Sequence, residues 1–187
     1  MTLYELISGF SPDTEPEAAD RALMLCTLGL FDDLLTRENP LAHFTASGWV
    51  VSRDRARVLM VYHNIYRSWS WTGGHADGDA DLAAVARREV LEETGLPDVR
   101  PLLDRPLSLE VLGVPAHWKH GKPVSAHLHL NVTYLFEADE TAPLRSKADE
   151  NRAVRWFPAE EAVSRSTEPE MQPIYQKLIE KVQELDL

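Results

Sequence analysis

The chain has 187 residues, and 19 Lys and Arg against 30 Asp and Glu leave a formal net charge of −11. That length suits one domain burying roughly 70% of its unfolded surface, and the apolar fraction of 44% excludes an acidic disordered tail. The acidic balance excludes DNA or RNA as a bulk partner, because phosphate neutralisation needs a concentrated basic surface; a small phosphorylated substrate stays admissible if a divalent metal stands between it and the carboxylates.

Leu3, Leu6 and Ile7 make a first short helical face, broken by Ser11–Glu17. A second helical pattern carries Ala22, Leu25, Leu28 and Leu35 and is expected to end near Asn39-Pro40. Its apolar run, Ala22 to Phe31, is about half a membrane span and holds a Thr and a Gly. The lone Cys26 within it reads as packing and cannot form an internal disulfide. With no basic leader at the N-terminus, the expectation is a soluble cytoplasmic protein with no membrane partner. The Leu23–Leu35 stretch permits a homodimer, but packing of residues 1–43 as a helical extension onto a domain at 44–187 is the simpler expectation.

From Phe44 the character changes. Gly48–Val51 and Val58–Tyr62 read as a hairpin about a charged turn, and Trp69-Ser70-Trp71 leads to Gly73-Gly74. Residues 79–94 give the strongest helix signal, with Asp79 or Asp81 to cap it, Gly95 to close it and Pro97 beyond. A strand at Leu107–Val114 precedes a loop carrying His117, Trp118, His120 and Gly121. Residues 126–137 then alternate, with Leu128, Leu130, Val132, Tyr134 and Phe136 on one face and His127, His129, Asn131 and Thr133 on the other. A short strand at Val154–Phe157, a helix at Ala159–Val163 and a last helix from about Glu168 to Leu185 complete the chain. This order predicts a layered α/β domain around a mixed sheet.

Chemistry concentrates in residues 73–96. On a helix, Glu89, Glu92 and Glu93 fall within roughly a 100° arc. Like charges so placed weaken a helix by a few tenths of a kcal/mol per pair, and hard oxygens at that density suit Mg²⁺ or Mn²⁺ rather than zinc. An isolated acidic helix face is more often simply solvated, so the surrounding framework decides.

That framework resembles the Nudix box, G-x5-E-x7-R-E-U-x-E-E-x-G-U with U aliphatic: Gly74, Arg88, Glu89, Val90, Glu92, Glu93, Gly95 and Leu96 all fit. The six non-aliphatic matches would coincide by chance with a probability on the order of 10⁻⁵. One position departs, Ala80 standing where the box has its first Glu, with Asp79 and Asp81 on either side and Asp77 close. The resemblance continues in WSWTGG, similar to the family's W-x-x-P-G-G with Thr72 for proline, and in VRWFPAEE, and covers about residues 44–165. It implies an α/β/α sandwich around a mixed β-sheet, with an N-terminal helical extension. It further implies a pyrophosphohydrolase cleaving a nucleoside diphosphate linked to another moiety, by water attack at phosphorus with Mg²⁺, or Mn²⁺, as cofactor. Glu89, Glu92, Glu93 and the carbonyl of Gly74 would be metal ligands, Glu89 would also orient or deprotonate the water, and Arg88 would hold a box carboxylate. The competing reading is a non-catalytic Nudix-like nucleotide-binding or sensor module in which Ala80 marks decay.

Outside the box, Glu150 is the candidate general base and Glu137 the runner-up. Trp69, Trp71 and Trp118 are candidates to stack on a base. His63, His75, His127 and His129 are candidates for phosphate or sugar, against the simpler reading of half-exposed edge histidines. A histidine-based zinc site is not expected, for want of matching Cys or recognisable ligand spacing. The substrate is not named by the sequence.

Overall fold

The computed structural model describes residues 1–119 and 121–185 of the chain. His120, and residues 186–187 at the end of the expected second segment, lie outside the described residues. In chain order the elements are α1 (Leu3–Ser8), α2 (Glu15–Leu28), β1 (Ala42–Ser52), β2 (Arg57–His63), β3 (Ser68–Ser70), β4 (Thr72–His75), α3 (Leu82–Thr94), β5 (Arg100–Pro101), β6 (Ser108–Val114), β7 (His117–Lys119), β8 (Lys122–Val124), β9 (His127–Ala138), β10 (Asn151–Pro158), α4 (Ala159–Arg165) and α5 (Gln172–Glu184).

β1 is the axis of an eight-stranded mixed sheet. It runs parallel to β9 from Ala42↔Leu128 to Ser52↔Ala138. Its other edge pairs antiparallel with β4 from Thr45↔His75 to Gly48↔Thr72, and then with β2 at Val50↔Leu59. β10 and β3 extend the sheet beyond β2, and β6 and β5 pair with β9.

Side chains alternate between the faces of a strand, and β1 uses both. Phe44, Ala46 and Val50 enter a core with Val85, Ala86 and Val90 of α3 and with Ile7, Phe10 and Met24 from the N-terminal helices. Trp49 and Val51 enter a second core with Trp71 and with Tyr175, Leu178 and Val182 of α5. Helices therefore cover both faces, giving the α/β/α sandwich. No helix among the described residues is long and apolar enough to cross a membrane.

Three expectations are corrected. The second helix stops at Leu28, where the Gly29 N–H closes the last turn onto Leu25 and Cys26. A turn follows, held by Asn39 Nδ2 on Asp33 at 2.6 Å; Leu34 is still buried there, so the apolar pattern marked burial and not helicity. The expected loop carrying His117, Trp118 and Gly121 instead supplies β7 and the turn of the β7–β8 hairpin, with Gly121 at φ +75°. The last helix begins at Gln172, later than Glu168.

Candidate active site

α3 is built by local chemistry. The Asp81 side chain accepts the Ala84 N–H at 3.0 Å and caps the first turn, and Gly95 ends the helix at φ +69°. The helix seats on β1 because Gly48 has no Cβ: one built there would lie 2.3 Å from Val90 Cγ2. One residue back along the helix, Glu89 meets Gly74 of β4, and a Cβ on Gly74 would lie 2.4 Å from the Glu89 carboxyl carbon. Any larger residue would push the Glu89 carboxylate out of this position. The neighbouring Gly73 donates its N–H to Glu93 Oε1 at 2.8 Å.

Glu150, from the segment before β10, completes the cluster. Oxygens of Glu89, Glu93 and Glu150 all lie within 4.8 Å of one another. Asn151 fixes this segment by donating Nδ2–H to the Glu93 carbonyl at 3.0 Å. Lys147 Nζ lies 3.0 Å from Glu150 and 3.1 Å from Glu92. Four carboxylates thus face one ammonium. Burial, then Glu150 and Glu89, push the carboxyl of Glu93 (3% exposed) up to about 8 against the opposing Gly73 N–H. Burial, then Glu92 and Glu150, raise Glu89 as well. Lys147 is pulled down by its own burial, but Glu150 and Glu92 outweigh this and raise it overall.

Of the expected site residues, the structure brings together Gly74, Glu89, Glu93 and Glu150. Glu92 lies at the more exposed edge, its carboxylate turned to Lys147. Arg88 pairs with Asp79 at 3.4 Å, beside the departing Ala80, while Asp81 caps α3 and Asp77 binds Arg37 at 2.6 Å. Each acid around Ala80 therefore has its own partner. Glu137 is far along β9 and bound to Arg100 at 3.0 Å, so it is removed as a base candidate. Trp71, between β3 and β4, faces the core opposite α3 with its ring edge-on to Tyr175, and Trp69 of β3 packs edge-on to Tyr62 and Phe157; both belong to the second core and not to the carboxylate cluster. Trp118 on β7 is 74% exposed. His63 opposes Asn151 across the β2–β10 ladder, with Glu150 in electrostatic reach. His75, His127 and His129 gather with His43 on the sheet face away from α3, and β9 is flanked there by β1 and β6, so His127 and His129 are not edge histidines. Sequence reasoning missed Lys147 and Asn151; their nearness to Glu150 was the available signal.

This chain is similar to known proteins in two ways. It is 30% identical over 119 residues to a CMP-5'-(N-acetyl-N-hydroxy-3-aminopropyl)phosphonate hydrolase of Streptomyces rubellomurinus, covering 60% of this chain and 50% of that protein. The chain thus spans half the length of that curated relative. Its fold matches an Ap4A hydrolase of C. elegans (TM-score 0.56, 18% identity, 76% of this chain and 98% of that one). A Nudix hydrolase of M. smegmatis, RenU, matches similarly (TM-score 0.56, 18% identity, 78% and 88%). The family model of the NUDIX domain matches residues 42–181, from the first residue of β1 into α5. The chain belongs to the NUDIX family.

Proposed function

We propose that this protein is a divalent-metal-dependent pyrophosphohydrolase acting on a nucleotide derivative, a nucleoside diphosphate linked to another group. The observation that carries the reading is the cluster of Glu89, Glu93 and Glu150, two of them with raised pKa values, gathered around glycine backbone with Lys147 as the cation beside it. Such a group of hard oxygens fits Mg²⁺ or Mn²⁺. Two of the three hydrolases matched above are named for nucleotide derivatives, a CMP-phosphonate and Ap4A, which supports the substrate class.

Glu89 and Glu93, with the Gly74 carbonyl, would hold the metal, which supplies charge neutralisation at the diphosphate and a more acidic water. Gly73 fixes Glu93 through its N–H. Glu150 takes the proton as water attacks phosphorus and the bridging P–O bond breaks, the leaving phosphate carrying the electron pair. Lys147 holds Glu150 and Glu92 at the rim. Arg88, on Asp79, steadies the box loop from outside. The lone Cys26 is consistent with a cytoplasmic setting.

The test is phosphate and pyrophosphate release from a panel of nucleoside diphosphate derivatives with Mg²⁺, with Mn²⁺ and with chelator. Metal-dependent turnover, with kcat lowered and KM nearly unchanged in Glu150→Gln, is expected. Ligand-induced stabilisation without turnover across the panel would replace this reading by the binding module.

A further inference from the structure

On the opposite face of the sheet from α3, His43 of β1, His75 of β4 and His129 of β9 converge from three adjacent strands. The registers His43↔His129 and Thr45↔His75 set them side by side. One ring nitrogen from each lies within 4.8 Å of the other two. His127 adjoins them: its Nε2 is 3.3 Å from Nε2 of His129, and its ring is 4.9 Å from that of His43.

Packing alone explains this group poorly. His43 is 5% exposed, and neither of its ring nitrogens has a hydrogen-bond partner. Leaving a buried polar atom unsatisfied is costly. His127 Nδ1 faces the Ser125 carbonyl at 2.9 Å and donates to it in the neutral ring, so its Nε2 presents a lone pair toward His129. A separation near 3.3 Å is also what two nitrogens at ~2.0–2.1 Å from a tetrahedral ion would show.

We propose that His43, His75 and His129, with His127 as the fourth ligand, bind one zinc-class divalent ion at a site separate from the carboxylate cluster. Ligand softness sorts the two sites, since imidazole suits Zn²⁺ and clustered carboxylates suit Mg²⁺ or Mn²⁺. β4 divides them: Gly74 lies against Glu89, and the next residue, His75, points to the other face. Sequence spacing hides such a site because its ligands come from residues 43, 75 and 127–129, joined only by strand pairing.

The experiment strips the full chain with chelator, saturates it with Mg²⁺ and titrates Zn²⁺ against a chromophoric chelator; Co²⁺ is then added as a visible-absorption probe. Wild type and Glu93→Gln should each hold one Zn²⁺ and give the Co²⁺ spectrum of a tetrahedral nitrogen site. His75→Gln, His127→Gln and His129→Gln should weaken Zn²⁺ by more than about tenfold, with circular dichroism showing which variants are folded; the partly exposed His75 and His127 decide the matter if His129→Gln misfolds. No Zn²⁺ held in Mg²⁺, equal affinity in folded histidine variants, or loss in Glu93→Gln would overturn the proposal.

Discussion

Two groups of buried glutamates sit on opposite sides of the fold and are treated in opposite ways. Glu17 of α2 is 1% exposed, yet it accepts bonds from Ser108 Oγ (2.6 Å), the Asp13 N–H (2.9 Å) and Lys181 Nζ (2.9 Å), with Lys177 Nζ at 3.3 Å. Burial pushes it up, but those partners outweigh burial and hold it below the ordinary carboxylate range. Glu110 shares Lys177 at 3.1 Å and takes bonds from Asn131 and Thr133; Asn131 in turn accepts from Thr45 and Ser47. Around Glu93 the chain supplies one backbone N–H and one distant ammonium for several carboxylates, and the shift is upward. Where the protein provides the cation, a buried carboxylate is architecture. Where it withholds one, it prepares a place for a cation from solution.

The contrast can be broken on either side. Lys181→Met leaves Glu17 short of its principal cation, and unfolding in urea should show a loss of about 3–5 kcal/mol, as for other buried pairs cut on one side. Glu93→Gln should leave the fold intact while metal-dependent turnover falls by at least about 10²-fold, beyond the usual effect of disturbing a ligand's supporting contact; unchanged turnover would remove Glu93 from the metal site. Gly48→Ala tests the seating of α3 through Val90, with a loss of about 1–3 kcal/mol in the same unfolding assay. The smallest effect is expected at the half-exposed Arg88–Asp79 pair: Asp79→Asn should shift stability by no more than about 0.5–1 kcal/mol in thermal melts.

Much of the carboxylate site was legible because it is local. Caps, helix period and the glycine pair lie within residues 73–96, where side-chain direction follows from spacing. The same arithmetic put Glu92 with its neighbours, but the stripe is an arc, and at its edge Glu92 reaches Lys147 while Glu93 turns inward to Gly73. Trp71 read as a stacking residue, yet it sits at the joint between β3 and β4, and its ring turns to Tyr175 in the second core. The histidines were noticed on the polar side of β9, but His43 and the meeting with His75 depend on the β1–β9 and β1–β4 registers, which no local pattern encodes.

The most direct test of the claim that the carboxylates around Glu93 are short of a cation needs no substrate. In chelator, a group whose folded pKa is raised binds more protons folded than unfolded, so its stabilisation is complete below the unfolded value and is lost as pH rises through the folded one. For Glu93 that loss runs from 4.5 up to about 8. Below pH 6.5 the lowered histidines act in the opposite sense, because their unfolded forms take up protons that the folded forms refuse. Urea unfolding of wild type and Glu93→Gln from pH 6.5 to 8.5 therefore isolates the carboxylate. The metal-free wild type should lose about 2 kcal/mol relative to Glu93→Gln across that window, and saturating Mg²⁺ should abolish the loss. Parallel curves for the two proteins, or a loss that Mg²⁺ leaves untouched, would contradict the account.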